Sequence, residues 1–131
     1  MAGFIVQIRR LVAETRECLG RGAPDEDRTA LEWKLYRLSA CVHGAFEPFN
    51  PPLEGSLEQL DRALFQGYVS SAEVFLQVIQ LALDALSVRD RSVLDPAEEL
   101  LEQGRADLER ADSERLALEQ RLREQQDWGR A

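Results

Sequence analysis

Carboxylates are the side chains whose types and spacing come nearest to chemistry in this chain. Glu98, Glu99 and Glu102 form one cluster, and Glu124 and Asp127 form a second. Within each cluster the steps of three and four residues gather oxygens on one face of a helix. Converging carboxylates are what a hard divalent cation such as magnesium takes as ligands. One cation site would need the two clusters to face each other from neighbouring antiparallel helices, yet no turn signal stands between them. The remaining reactive groups are sparse. His43 is the only histidine, and Cys41, two positions away, points to a different helix face. Gly20-Arg21-Gly22 lacks the Lys-Ser/Thr ending and the preceding strand of a phosphate loop. No nucleophile, base and orienting acid can be assembled around one histidine.

The stretch Glu98-Glu99-Leu100-Leu101-Glu102, followed by Glu124-Gln125-Gln126-Asp127, resembles the paired acidic motifs of MazG-like nucleotide pyrophosphohydrolases. That resemblance covers only the last helix. It implies helical carboxylates holding magnesium and hydrolysis of a nucleoside triphosphate, lost when Glu98→Ala and Glu102→Ala are combined. Acidic residues at these steps are also ordinary on a solvated helix. The reading adopted from the sequence is non-enzymatic, with no catalytic residue, no cofactor and no metal site.

Composition narrows the partners. The 131 residues suit one domain, and 44% apolar with 31% charged residues is the balance of a folded chain with a wet surface. The net charge of −8 is uneven, with 7 basic and 7 acidic residues through Glu47 but 6 basic and 11 acidic from Asp95 onward. A nucleic-acid or anionic-membrane surface needs a basic patch, and no basic run longer than Arg9-Arg10 exists. Phe4-Ile5-Val6 is cut by Gln7, Arg9 and Arg10 before a secretory apolar region forms, and Ala2 ahead of Gly3 excludes myristoylation. Val74 to Val88 carries Gln77, Gln80 and Asp84 and is too short to span a bilayer. A cytoplasmic location is expected. Cys18 and Cys41 fall on the order of 20 Å apart in a helical hairpin, too far for a disulfide, and both are expected as reduced core residues.

The elements follow from periodicity. A first helix is expected from about Gly3 to Leu19, with Gly20 as its left-handed stop. A second runs from the acidic start Asp25-Glu26-Asp27 to about Phe46, burying Leu31, Leu35, Leu38 and Val42, with Trp33 and Tyr36 widening the apolar face. Pro48, Pro51 and Pro52 break it, and the loop aromatics Phe46 and Phe49 staple back onto the core. Ser56-Leu57-Glu58-Gln59 reads as a capping box opening a short helix to Gln66, and Ser70-Ser71-Ala72-Glu73, after Gly67, as a second box opening the central buried helix. Asp95 caps the last helix, with Pro96 in its first turn, and the helix runs to Trp128 as a rod about 50 Å long.

The fold class expected is therefore all-α: a four- to five-helix, mostly antiparallel bundle with a long C-terminal helix of coiled-coil character. It is one domain, with residues 1–94 as the core and 95–128 as a charged helix that packs on it and projects. Leu94, Leu101, Leu108 and Leu122 share one heptad column, and Ala97, Gly104, Ala111, Leu118 and Gln125 share the other. A parallel homodimer would set Asp107 against Asp112 and Glu114 against Glu119, whereas an antiparallel one can bring Asp107 to Arg121 and Arg105 to Glu119. The function read from this is a protein–protein assembly module that self-associates or binds a helical partner through that helix. Its contact residues are Leu101, Arg105, Asp107, Leu108, Ala111, Leu118, Glu119, Arg121 and Leu122, with Trp128 as an anchor. The alternative is an acidic helical inhibitor, antitoxin-like protein or export chaperone holding a basic or amphipathic client.

Overall fold

A computed structural model describes the backbone of residues 2–46 and 59–129, and their side chains apart from those of residues 2, 59–65 and 127–129. Among the described residues there are four α-helices and no strand: α1 (Ala2–Gly20), α2 (Asp25–Phe46), α3 (Gln59–Val88) and α4 (Ala97–Gly129), with a short 3-10 turn at Arg91–Leu94. The chain is all-α and ends in its longest helix, as its periodicity requires.

Helix α1 buries Ile5, Ile8, Leu11, Val12, Thr15 and Cys18 at three- and four-residue steps. The buried Thr15 hydroxyl is satisfied by donating to the Leu11 carbonyl at 2.7 Å. The left-handed stop is Gly22 (φ 60), not Gly20. Ala23 N–H donates to the Cys18 carbonyl at 3.1 Å, the closing bond of a Schellman turn, which places the glycine requirement two residues past the sequence expectation. Helix α2 starts with three acids in its first turn and buries Leu31, Leu35, Leu38, Val42 and Phe46. It runs antiparallel to α1, with Lys34 3.6 Å from Glu14 and the Phe4 and Phe46 ring centroids 6.3 Å apart.

The expected break at Gly67 does not occur, because α3 is one helix of 30 residues. A Cβ at Gly67 would lie 3.1 Å from Ala111 Cβ, so this glycine serves a close approach of two helices rather than a stop. Ser71, expected within a capping box, is fully buried mid-helix and donates back to the Gly67 carbonyl at 2.9 Å. The box at Ser56–Gln59 and the proline segment lie outside the described residues. With Gly67 inside the helix, Gln66–Val88 is long and apolar enough to cross a membrane by length and composition, which corrects the shorter stretch read from sequence; half of it is buried inside the protein.

The start of α4 also differs from expectation. Asp95 has helical backbone angles (φ −54, ψ −40) and closes the 3-10 turn, so it is not an extended N-cap. Asp90 (φ −132, ψ 108) caps the 3-10 turn itself, its side chain accepting from the Ser92 amide at 2.9 Å and the Ser92 hydroxyl at 2.7 Å. These bonds hold its carboxyl below the usual carboxylate range. Arg89, at φ 57, supplies the left-handed residue that reverses the chain after α3.

Helices α3 and α4 form the second antiparallel hairpin and its tightest seam. A Cβ at Gly104 would meet Phe75 Cε1 at 2.8 Å, and Phe75 in turn packs on Phe46 with ring centroids 6.3 Å apart. The α1–α2 hairpin lies over the base of this longer one, tied by Arg16 donating to the Leu94 carbonyl at 3.0 Å and by Arg9 beside Glu98 at 3.7 Å.

Candidate functional site

The register of the long hairpin defines an arm. Gly67 faces Ala111 and Phe75 faces Gly104. Extended at the same antiparallel register, the first residue of α3 comes opposite about residue 120 of α4. Helix α2 ends at Phe46, which packs on Phe75 and borders a pocket that reaches Val69, and beyond that level the described helices are α3 and α4 alone, forming an arm. From Leu108 to Gly129, α4 extends it by roughly 32 Å at 1.5 Å per residue.

Tyr68 fastens the base of the arm. It is 1% exposed and its hydroxyl donates to Asp112 Oδ1 at 2.6 Å, joining α3 to α4. Burial, then the hydrogen bond and the negative charge of Asp112, push the phenol from 10.0 to about 12. A phenol that holds its proton more tightly when folded contributes stability that is complete below pH 10 and is lost as pH rises through about 12. Ultraviolet titration of the folded chain should show one phenolate step near pH 12 that is missing in Tyr68→Phe. The same substitution should lower stability by about 1–2 kcal/mol at neutral pH, since it removes a hydrogen bond to a charged acceptor.

The contact residues expected from sequence separate into two groups. Leu101, Leu108 and Ala111 are at most 3% exposed, buried in the chain's own core. Their heptad seam is therefore occupied by α3, and they are not a surface for another molecule. Arg105 is engaged within its own helix, its Nε 3.0 Å from Glu102 Oε1 and its Nη1 2.6 Å from Glu109 Oε1. These pairs keep Glu102 ionised to lower pH and the guanidinium charged to higher pH than usual. The antiparallel register that joins Asp107 to Arg121 and Arg105 to Glu119 used that proximal seam, so the folded chain closes it. Asp107 is half-buried.

The second group lies on the arm. Leu118 is half-buried, Glu119 and Arg121 are exposed, and Leu122 is 50% exposed. Leu116, which the heptad reading did not single out, is 58% exposed on another face. Helix α4 carries ten carboxylates against five arginines, six against four of them from Leu108 onward, so the arm is mildly acidic as well as apolar along one edge. Trp128 is helical, and its side chain lies outside those described.

The other sequence candidates fall elsewhere. Glu98–Glu102 and Glu124–Asp127 occupy one continuous helix, roughly 35 Å apart by its rise, and cannot converge within a single chain. Among the described residues no group of three His, Cys, Asp or Glu side chains is placed to hold a metal ion. Cys18 is buried as expected, but Cys41 is exposed. It lines a groove of about 330 Å³ between α1 and α2 with Arg10, Glu14, Lys34 and Arg37. Trp33 and Tyr36, expected to widen the core face of α2, lie outside it at 72% and 59% exposure. Helical phase would have placed them there, because Leu31, Leu35, Leu38 and Val42 already complete one face and Trp33 lies opposite it.

These features define an all-α chain of two antiparallel helical hairpins, the longer projecting an acidic arm past the shorter. No protein-family profile, curated protein or solved structure matches it.

Proposed function

We propose that this chain is a non-enzymatic assembly module that associates with a second copy of itself through the distal arm. The observation that carries the reading is the continuity of one apolar seam. It is filled by α3 at Leu101, Leu108 and Ala111, continues as the half-buried Leu118 beside the first turn of α3, and emerges as the half-exposed Leu122 past the first residue of α3. Among the described residues no third helix covers that edge, and a second arm supplies one. The pairing is antiparallel, because parallel distal α4 helices would oppose Glu114 with Glu119. A cytoplasmic setting accompanies this reading.

The excess of carboxylates on α4 supports a second reading, in which the arm of an inhibitor or export chaperone holds a basic or amphipathic client. The double substitution Leu118→Glu with Leu122→Glu separates the two. It should convert an oligomer of the full chain to smaller species without changing helical content, since Leu122 is half exposed and Leu118 lies at the edge of the core. A chain that purifies as a monomer, but co-purifies stoichiometrically with one basic protein, supports the client reading and removes the homotypic one.

A further inference from the structure

The outer face of α2 is a second apolar surface left uncovered among the described residues. Trp33 is 72% exposed and Tyr36 59%, the two most exposed aromatic residues among those described. Ala30, Arg37, Ala40 and Gly44 share this face with Trp33, at steps alternating between three and four residues along α2. That is a coiled-coil spacing on the side opposite Leu35 and Val42, so α2 carries two seams, one inside and one outside. Ala30, Ala40 and Gly44 are small, and a Cβ at Gly44 would meet nothing within 4 Å. A second helix can therefore approach closely.

We infer that this face pairs antiparallel with the same face of a second copy, about a twofold axis near Leu35. The sequence is complementary to itself in that arrangement. Trp33 of each copy falls opposite Arg37 of the other, and Ala30 opposite Ala40, so each contact is made twice, as an isologous interface requires. A guanidinium over an indole face is a favourable cation–π pair. Arg37 is available for it, having no ion-pair partner among the described residues. Tyr36 falls beside its twin at the edge. A parallel pairing would instead stack Arg37 on Arg37 and Trp33 on Trp33, leaving two like charges in the seam. Lys34, on the other edge, is already neutralised by Glu14 at 3.6 Å. The surface lies on a different hairpin from the arm, so a chain using both has two interfaces and can assemble beyond a dimer.

A single helix–helix contact of this length buries less than about 1,200 Å² in total, in the range of weak complexes. The test follows the fluorescence of Trp33 in the full-length Trp128→Phe chain, where it is the sole tryptophan. The emission should move to the blue as concentration rises over roughly a hundredfold range around micromolar. In Arg37→Glu the midpoint should move up by about tenfold or more. In Leu118→Glu with Leu122→Glu the shift should persist, which separates failure of this interface from failure of the arm. An emission maximum that stays red at every concentration overturns the inference. So does a blue maximum that is independent of concentration, which assigns the face to another part of the same chain, and so does a shift unaffected by Arg37→Glu.

Discussion

Gly104→Val should be the most damaging single substitution in the long hairpin, costing about 3 kcal/mol or more in chemical denaturation, a large part of the 5–15 kcal/mol expected for a whole domain. The first atom added at Gly104 already lies 2.8 Å from Phe75 Cε1 and 3.2 Å from Val74 Cγ1. Phe75 is fully buried against Phe46, so its ring has nowhere to retreat. Alanine at the same position should cost less. Its better helix propensity returns about 1 kcal/mol of the 1–3 kcal/mol typical of overpacking. If Gly104→Val leaves the denaturation midpoint unchanged, the two helices do not meet as described.

Phe75→Ala should have the second largest effect, about 3–5 kcal/mol, because it empties a site that three helices share. Phe75 is where α2, through Phe46, and α4, through Gly104, both meet α3. The resulting cavity should loosen the α1–α2 hairpin from the long one rather than unwind any helix. Proton exchange protection should fall first along α2, near Val42 and Phe46. The two sites should also couple. Phe75→Leu should be destabilising alone but should recover part of the loss in Gly104→Ala, since the smaller side chain makes room for the added methyl. Additive costs in that double-mutant cycle would mean that Gly104 and Phe75 are not in contact.

These two residues show how much of the fold was legible beforehand. The small residues Ala97, Gly104 and Ala111 were readable as a stripe that admits another helix. A heptad pattern states that a partner helix exists and is silent about whose it is. The partner here is α3 of the same chain, which sequence reading had cut at Gly67. That cut rested on glycine's low helix propensity of about 1 kcal/mol, which the packing of α3 on α4 outweighs. Asp95-Pro96 likewise carries a capping signal for α4, whereas Asp95 closes a 3-10 turn that Asp90 caps, and such a turn between the helices leaves no local pattern of its own. Trp33 and Tyr36 were assigned by hydrophobicity, although their helical phase put them outside. The distal residues Leu118 and Leu122 were legible as seam, and it took the register of α3 to distinguish them from Leu101 and Leu108.

The central claim is that the distal arm is the association surface. Absolute molar mass by light scattering, on the full chain and on a chain ending after Ala117, tests it most directly. The shortened chain keeps Tyr68, Asp112 and the Gly67–Ala111 contact. It should remain folded and contain fewer copies per particle than the full chain at the same concentration. Equal numbers of copies in the two particles, at every concentration tried, would contradict the account.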